Sequence, residues 1–465
     1  MIKFLFVTNR FQILKNLNNG SDLLISKSVI KAKNNRENGK IFLMNKNKID
    51  EKKSSEKFLS WLLSNNVYIY NKSTWGRPPH PCIVSNETTD EGIPSGKGLL
   101  AFKNIQQGEK IIEIPMDLVL SKEHPMNKMA LNEIDQMNEY DSMAIFLIQQ
   151  RAVGDKSFWK TYFETLPSEK DLDIFFRWSI FDSFFLKGSK INFSLLYLRE
   201  KIRSQFFRIN NIVFEKNPIL YPKTVFNIES WEWALSLLFS RSIFLSKSQE
   251  LTMVPYADFL NHNPFSTSYI DAKEIPFSDF LEIAMYSDKP YNKFDQVFTT
   301  YGPKTNLELL LLYGFILERN PFDSTEIRVS LSRKDALYEK KKYFLTSCER
   351  PESITFPLFF YQYPKELYEF LRLCLDVSNK VEVDLSYYEF KESLDIEAEG
   401  IIKMLITMVC IKNLKKFNFY ENEKKNLKLV DNEIFFSKTQ KIAIKHVVCE
   451  KRILNKIIEA NKRIN

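Results

Sequence analysis

The feature that most constrains the fold is the order in which two hydrophobic periodicities follow each other along the chain. Residues 98–120 and 253–300 show short apolar runs separated by Gly- and Pro-containing turns, which predict β-strands. A short amphipathic helix is expected at 58–66. From about 127 to 245, and again after about 335, apolar residues recur at i, i+3, i+4 and i+7, which predicts helices. This order predicts an α+β fold, with a β core interrupted by helices and followed by a helical region.

Three segments follow from this layout. Residues 1–57 are expected to form a basic N-terminal extension, because residues 1–50 carry ten Lys/Arg and three Asp/Glu. This acid-poor, Asn- and Ser-rich composition suits an organelle transit peptide, and a disordered extension is the alternative. Residues 58–330 are expected to form the β core, with its helical insertion at about 125–235. Residues 331–465 are expected to form a helical C-terminal domain.

Several broad classes are disfavoured by composition and spacing. The formal charge of +8 lies mostly in residues 1–50, so the body of the chain gives no reason to expect nucleic acid as a partner. The five cysteines are far apart, which argues against a disulfide framework and fits a reducing compartment. No apolar run approaches the roughly 18 residues of a membrane span. No H-E-x-x-H or G-x-S-x-G motif occurs, so a metal centre or a hydrolytic triad is not expected.

The segment GIPSGKGLLA (92–101) admits more than one interpretation. Gly96, Gly98 and Ala101 match G-x-G-x-x-A, but a dinucleotide fingerprint needs a strand before it and a helix after it. Here a polar loop is expected before the motif and a strand-turn-strand after it. The remaining interpretations are a flexible turn, or a loop whose glycines let its backbone lie against a ligand.

The densest motif is VFTTYGPKTNLELLLLYGFILERNPFD, which covers residues 297–323. A strand is expected to end at Tyr301, and Asn306 is expected to cap the helix that follows. This arrangement puts Tyr301 at a strand end and Tyr313 and Phe315 about one helix further on. For any one of these aromatic residues alone, plain core packing is the alternative.

Six segments, taken in order, resemble the SET-domain protein methyltransferases. They are IPSGKGLLAFKNIQQGEKIIEIPMDLVLS (93–121), FWKTYFETLP (158–167), SIFDSFFLKGSKI (179–191), WALSLLFSRSIFL (233–245), MVPYADFLNHNP (253–264) and TYGPKTNLELLLLYGFI (300–316). The branch they resemble is that of the Rubisco large subunit lysine methyltransferase, with its relatives acting on ribosomal proteins and actin. Joint occurrence in this order carries the resemblance, which is most specific at the segments containing NH and YG.

The resemblance implies small β-sheets around a pseudoknot, in which the chain end carrying Tyr301 passes beneath the loop carrying Asn261 and His262. It implies S-adenosyl-L-methionine as cofactor and a protein lysine as methyl acceptor, on the Rubisco large subunit or another plastid protein. Such a reaction needs the amine, the methyl carbon and the sulfur aligned with water excluded. The target lysine is expected in a cleft between the SET and C-terminal domains, in a chain acting as a monomer.

The same resemblance implies roles for individual residues. Tyr301 matches the catalytic tyrosine. The positions that match cofactor-binding residues are Ser95, Gly96, Gly98, Arg241, Asn261, His262 and Tyr301. The positions that match the lining of the lysine channel are Ser240, Asp258, Tyr313 and Phe315. Ser95 departs from the family, which often has an acidic residue there. For Arg241 an exposed charge at a helix end is the alternative, and for Asp258 a local cap.

Two other functions stay open at this point. One is methylation of a histidine, as in the actin-modifying branch; Tyr313 favours lysine, because a second tyrosine can hold an amine by hydrogen bonding. The other is a SET-like module that binds a partner without catalysis. The basic N-terminus indicates a plastid, with the cytoplasm or the nucleus as alternatives.

Overall fold

The computed structural model describes residues 56–67, 80–90, 93–122, 124, 137–169, 172–275, 281–360, 362–375, 396–420 and 436–462. The predicted N-terminal extension lies outside these residues up to position 55. The described residues fall into two compact units: unit 1 within Met1–Asp171 and Arg203–Thr300, and unit 2 within Leu172–Ile202 and Tyr301–Asn465. The boundaries predicted at 57 and 330 stay a prediction.

The described strands are short and are gathered into small sheets. In chain order they are β1 (Cys82–Asp90), β2 (Ile93–Ala101), β3 (Lys110–Pro115), β4 (Leu120–Ser121), β5 (Ile243–Leu245), β6 (Glu250–Met253), β7 (Asn261–His262), β8 (Asp271–Glu274), β9 (Leu281–Tyr286), β10 (Gln296–Thr299), β11 (Ser324–Ser330) and β12 (Ser353–Phe359). In unit 1 they form sheets of order β1-β2-β10-β7, β3-β9-β8 and β4-β6-β5, and in unit 2 the two-stranded sheet β11-β12.

The described helices occupy the insertion and the C-terminal part of the chain. In chain order they are α1 (56–64), α2 (Glu139–Val153), α3 (Lys160–Phe163), α4 (Ile180–Phe184), α5 (Ile191–Ile209), α6 (Ile228–Arg241), α7 (Asn306–Tyr313), α8 (Tyr338–Ser347), α9 (Lys365–Leu375), α10 (Ile396–Leu414) and α11 (Lys438–Lys462). None of them is long and apolar enough to cross a membrane.

Helices α2 and α6 are the main helices packed in unit 1, and their ends follow from local sequence. Asn138 caps α2, because its side chain accepts from the Asp141 N–H while the Asp141 carboxylate accepts in return. Asn227 caps α6 in the same way, by accepting from the Ser230 N–H. Both helices bury most of their apolar residues, and they pack against each other.

Ile93–Ala101 forms strand β2, as expected from residue 98 onward, whereas the turn or loop expected for the part before residue 98 is wrong. Cys82–Asp90, in the region expected as a polar loop, forms its antiparallel partner β1. Leu99 and Ala101 are fully buried, so the apolar half of the segment is held in the sheet. The sequence of β1 is largely polar and was therefore interpreted as a loop. An antiparallel strand can carry such residues, because one face of the pair can be exposed to water.

Unit 2 contains an antiparallel strand pair, and its second strand, β12, lies in a region that was expected to be helical. β12 pairs with β11 in continuous antiparallel register from Ser324 opposite Phe359 to Ser330 opposite Ser353. Its sequence, SITFPLF, is rich in β-branched and aromatic residues, which favours a strand over a helix. The C-terminal region is otherwise helical, through α8 to α11.

Candidate active site

Gly98, on β2, lies where side chains from the other three strands of the four-stranded sheet approach it. From β7, Asn261 Nδ2 donates to Gln296 Oε1 on β10 at 2.7 Å and to Lys97 O on β2 at 3.2 Å. Thr88 Oγ1 on β1 lies 3.3 Å from the same nitrogen. A Cβ on Gly98 would stand 2.8 Å from Asn261 Nδ2 and 2.9 Å from Gln296 Oε1. Gly98 is therefore needed so that the Asn261 side chain can reach β2.

These contacts qualify the role expected for Asn261. Its amide nitrogen is engaged within the sheet, and its Oδ1 makes no hydrogen bond to the residues that the structure describes. Any contact of this side chain with a ligand therefore falls to the oxygen. Gln296 and Thr88 were not singled out in the sequence, because only the strand pairing brings positions 88, 98, 261 and 296 together.

Gly96 is a glycine for a different reason. Its φ is +75°, in the left-handed region, and a Cβ there would meet nothing within 4 Å. The constraint is therefore conformational, and the space beside this backbone is open. Ser95, beside it, is half-buried.

The segments carrying NH and YG are joined through a short parallel strand pair. Asn261 pairs with Phe298 and His262 with Thr299. The pairing is extended by the Asn263 N–H, which donates to Thr299 O at 3.1 Å. Tyr301 follows Thr299 by two residues, so β10 leads the chain past the NH segment to the predicted catalytic tyrosine. His262 is buried in β7.

Arg241 and Asp258 form a buried ion pair. Asp258 Oδ2 accepts from Arg241 Nη1 at 3.1 Å and from the Tyr162 hydroxyl at 2.7 Å. The Asp258 side chain is fully buried and that of Arg241 is 18% exposed, so neither an exposed charge nor a local cap describes this pair. Burial raises the pKa of Asp258, and the Arg241 charge opposes that rise. Asp258 thus holds the guanidinium of Arg241 in place. The Nε and Nη2 atoms of that guanidinium donate to no described residue.

In unit 2, Tyr301 is stacked on Tyr313. Their ring centroids are 4.8 Å apart with an interplanar angle of 27°, and Phe315 lies 6.1 Å from Tyr313. Burial, with a contribution from Glu308, raises the pKa of Tyr313 to about 12. Its hydroxyl therefore stays protonated near neutral pH, where it can both donate and accept a hydrogen bond.

The start of α7 corrects the expected cap. Thr305, not Asn306, is the N-cap: its hydroxyl accepts from the Glu308 N–H, and the Glu308 carboxylate accepts from the Thr305 N–H at 2.7 Å. Asn306 is the first helical residue and is buried. The sequence T-N-L-E fits the S/T-x-x-E capping box, and this signal identifies Thr305 as the cap.

Asn306 instead belongs to a buried polar network that anchors α7. Its Nδ2 donates to Asp323 Oδ2 at 2.8 Å and to Leu317 O at 2.9 Å, while its Oδ1 accepts from the Leu317 N–H. Asn320 Nδ2 donates to Lys304 O at 2.8 Å. Burial raises the pKa of Asp323 to about 6, against the hydrogen bonds it accepts from Asn306 and Ser324. The network fixes the helix on which Tyr313 stands.

At its other end α7 is fixed by a close contact. Gly314 has φ +74°, and a Cβ on it would lie 2.6 Å from Asp173 O. That carbonyl also accepts from Trp178 Nε1 at 3.0 Å. No side chain larger than hydrogen fits at 314, so the position directly after Tyr313 is tightly determined.

Ser240 uses its hydroxyl within its own helix, donating to Ser236 O at 2.8 Å. The roles predicted for Ser240, Phe315 and the other site residues stay predictions. Among the described residues no cluster of three or more His, Cys, Asp or Glu side chains forms a metal site.

Unit 1 also contains a cavity of about 640 Å³ that involves none of the predicted site residues. Arg151 lies over the Trp233 ring at 4.3 Å and pairs with Glu169 at 2.7 Å, while Lys160 pairs with Asp155 at 2.7 Å. Its charged groups are thus matched within the protein, and its position gives no support for a second active site.

Two protein-family models match this chain. The SET domain family model matches residues 96–302, and the model described as Rubisco LSMT substrate-binding matches residues 332–454. The chain is therefore a SET-domain protein. More particularly, it belongs to the branch in which a SET domain is followed by a Rubisco LSMT substrate-binding domain, as the sequence resemblance predicted.

Curated relatives match over part of their length. The Rubisco large subunit N-methyltransferase of Nicotiana tabacum is 27% identical over 54% of this chain and 51% of its own. The aldolase-lysine N-methyltransferase of Arabidopsis thaliana is 27% identical over 56% of this chain and 54% of its own. The human actin-histidine N-methyltransferase is 25% identical, over 60% and 48% respectively. The chain thus spans about half the length of the curated relatives it matches.

Solved structures match over most of the chain. The SET domain of LSMT bound to lysine and AdoHcy has a TM-score of 0.69 at 21% identity, and covers 89% of this chain and 91% of its own. Rubisco LSMT bound to AdoMet has a TM-score of 0.68 at 22% identity, with coverage of 88% and 92%. This likeness confirms the predicted α+β SET fold.

Proposed function

We propose that the chain is an S-adenosyl-L-methionine-dependent protein-lysine N-methyltransferase acting on a non-histone protein. The observation that carries the proposal is the parallel pairing of β7 with β10, which sets the NH segment beside the strand that leads into Tyr301. Gly98 supports the same site from β2, because only a glycine admits the Asn261 amide there. Relatives named as lysine N-methyltransferases support the reaction class.

The residues of unit 1 fit a cofactor that carries an amino-acid carboxylate. When bound, S-adenosyl-L-methionine supplies a methyl group on a sulfonium, which is a good leaving group. Arg241 keeps N–H donors beyond the one paired with Asp258, and a guanidinium fork suits a carboxylate. Asn261 Oδ1 is an acceptor, and the open backbone beside Gly96 admits close approach.

The aromatic stack of unit 2 fits the handling of an amine. A lysine amine has a reference pKa of about 10.4 and must lose a proton before it can act as a nucleophile. We assign Tyr301 to orient that amine, because catalysis here depends on alignment more than on a covalent step. The hydroxyl of Tyr313, protonated near neutral pH, is a second group that can hold the amine, which favours lysine over histidine.

The substrate is proposed to be a protein, docked through the helical C-terminal region. Residues 332–454 match the substrate-binding family model, and α10 lies within them. That helix exposes apolar side chains on one stripe at i, i+3, i+7 and i+10, namely Ile401, Met404, Met408 and Ile411. An exposed apolar stripe of this kind is typical of a protein-binding surface.

A plastid protein is the proposed substrate, and the plastid the proposed location. Two of the relatives are named as chloroplastic and act on the Rubisco large subunit or on fructose-bisphosphate aldolase. The actin-histidine N-methyltransferases are the contrasting relatives, so histidine is the second candidate acceptor.

The proposal is tested by methyl transfer from labelled cofactor to purified Rubisco, chloroplast aldolase and actin. We expect wild type to label a lysine of one of the plastid proteins, and Tyr301→Phe to lower the rate by roughly 10²-fold, because the amine is no longer aligned. The matched control is Tyr343→Phe, since Tyr343 is 74% exposed on α8.

Equal labelling by wild type and Tyr301→Phe would contradict the assigned role of Tyr301. Mass spectrometry of the labelled peptide distinguishes the acceptors, because a methyl on an imidazole would replace lysine by histidine in the proposal. Absence of labelling in all three proteins, together with absence of cofactor binding, would favour a non-catalytic binding module.

A further inference from the structure

Tyr256 has a backbone conformation that L-amino acids rarely adopt. Its φ is +75° and its ψ is −48°, whereas a residue with a bulky side chain normally avoids positive φ. The structure describes four other non-glycine residues with positive φ, namely Asn66, Gln249, Phe294 and Glu349, and all four are exposed. Tyr256 is fully buried. A strained residue in the interior persists only where its surroundings hold it, and such residues are concentrated at functional sites.

Two contacts hold the side chain of Tyr256. Its hydroxyl donates to Cys82 O, at the start of β1, at 3.0 Å. Its ring is stacked on that of His80, with ring centroids 5.6 Å apart and an interplanar angle of 19°. Burial raises the pKa of Tyr256 well above its ordinary value, so the hydroxyl stays protonated and remains a donor. The side chain thus fixes position 256 to β1, an edge strand of the four-stranded sheet.

The strained residue directly precedes the short turn that carries Asp258. Tyr256 O accepts from the Phe259 N–H at 3.2 Å. Val254 O accepts from the Asp258 N–H at 3.0 Å. Both hydrogen bonds close around position 256, so its torsion angles set the direction of the turn. Since β7 begins two residues after the turn, the same torsion angles decide where the Asp258 carboxylate and the Asn261 amide lie.

We propose that Tyr256 is a positioning residue for the cofactor, acting through Asp258 and Asn261. This role rests on the proposed function, because it takes S-adenosyl-L-methionine as the ligand. Asp258 holds Arg241, whose guanidinium suits the α-carboxylate of that molecule. The Oδ1 atom of Asn261 is an acceptor, which suits the α-ammonium. Both groups serve the amino-acid part of the cofactor, and Tyr256 acts without touching it, because its side chain is fully buried.

Calorimetry with two ligands distinguishes positioning from a general loss of stability. S-adenosyl-L-homocysteine carries the amino-acid part, and 5′-methylthioadenosine lacks it. Tyr256→Phe removes only the hydroxyl that fixes position 256 to β1. We expect this variant to bind S-adenosyl-L-homocysteine roughly three- to tenfold more weakly, the usual range for one lost hydrogen bond, and 5′-methylthioadenosine less than about twofold more weakly.

Two further variants complete the test. Tyr256→Leu also removes the ring stacked on His80, so the turn can relax and binding must restore its strained form. Its affinity for S-adenosyl-L-homocysteine should fall further, by roughly ten- to a hundredfold. Tyr363→Phe is the matched control, because it removes a tyrosine hydroxyl that donates to Asn461 Oδ1 at 3.2 Å in unit 2. It should leave both affinities unchanged. Urea unfolding of each variant checks that the proteins compared are folded.

The outcomes are distinct. A selective loss of affinity for S-adenosyl-L-homocysteine supports the proposed role of Tyr256. If Tyr256→Phe weakens both ligands equally, or neither, Tyr256 stabilises the fold alone and the proposed role is wrong. Tyr256→Phe keeps the packing of the ring, so it decides the test even if Tyr256→Leu does not fold. If wild type binds neither ligand, the proposed function itself fails, and the role of Tyr256 fails with it.

Discussion

At the scale of single residues, Gly96 and Gly98 lie two positions apart and are constrained by different physical effects. Gly96 has a left-handed backbone with open space where a side chain would project. Gly98 has an ordinary backbone but faces Asn261, Gln296 and Thr88 at or below 3.0 Å from any added Cβ. One position is restricted by its torsion angles and the other by its neighbours.

This difference predicts different consequences of substitution. Gly98→Ala should lower the free energy of unfolding by about 1–3 kcal/mol, because the new methyl group overpacks the contact of β2 with side chains from the other three strands. Gly96→Ala should lower it by about 1 kcal/mol, since only the torsional penalty applies. Urea unfolding measures both. The control is Gly400→Ala in α10, where the methyl meets nothing and should raise stability by a few tenths to 1 kcal/mol. A Gly98→Ala protein as stable as wild type would contradict the packing at this junction.

Glu450 in α11 is a second residue with a measurable signature. It is buried, its Oε2 lies 3.7 Å from His446 Nε2, and burial raises its pKa from 4.5 to about 7. Burial lowers the pKa of His446 to about 4. Between about pH 4.5 and 7 the folded state therefore holds a proton on Glu450 that the unfolded state has released, so this carboxyl loses stabilising effect as the pH rises through that window.

Glu450→Gln removes that titration. We expect the variant to be more stable than wild type at pH 8, by up to about 3 kcal/mol, and the difference to shrink as the pH falls toward 4.5. Unfolding midpoints of both proteins at pH 5, 6.5 and 8 measure it. Titration of His446 in the unfolded state is common to both proteins and cancels to first order in the comparison. A difference independent of pH would show that Glu450 does not titrate in this range.

At the scale of elements, α7 is the best-defined helix of the candidate site. Its start is fixed by the capping box of Thr305 and Glu308 and by the buried network of Asn306. Its end is fixed by Gly314 against Asp173 O. A helix held at both ends in this way presents Tyr313 in a single position, as a group that orients an amine requires.

The cap of Thr305 and the buried network of Asn306 at the start of α7 should contribute different amounts to the free energy of unfolding. Thr305→Ala removes the hydroxyl that caps the helix and should cost about 1 kcal/mol. Asn306→Ala should cost more, about 2–3 kcal/mol, because it leaves the Asp323 carboxylate and the Leu317 backbone groups buried with fewer partners. Chemical unfolding of both variants tests the order, with Thr346→Ala in α8 as the control for loss of a threonine in a helix. The reverse order would mean that the network is open to water.

At the scale of the whole molecule, sequence reasoning was most successful where periodicity reports burial. The apolar spacing of α2 and α6 predicted these helices, because one face of each packs against the core. The strand β1, the first half of β2 and the strand β12 were missed, since short polar or mixed strands are decided by pairing rather than by their own pattern.

The candidate site shows the same limit. Resemblance named Gly98, Asn261 and Arg241 by their positions in the sequence. It did not reveal Gln296, which receives the Asn261 amide, or Asp258 as the anchor of Arg241. These contacts depend on strands and helices far apart along the chain, whose meeting is a property of the tertiary fold.

The junction at Gly98 has a consequence for synthesis on the ribosome. β2 ends at Ala101, but its second neighbour in the sheet, β10, begins at Gln296, roughly two hundred residues later. At about 5–20 residues per second, one edge of β2 waits roughly 10–40 s before its partner is translated. During that interval the backbone N–H and C=O groups on one edge of β2 lack their partners on β10. The nascent protein is therefore most exposed to chaperones, and to aggregation, in the time when residues 102–295 emerge.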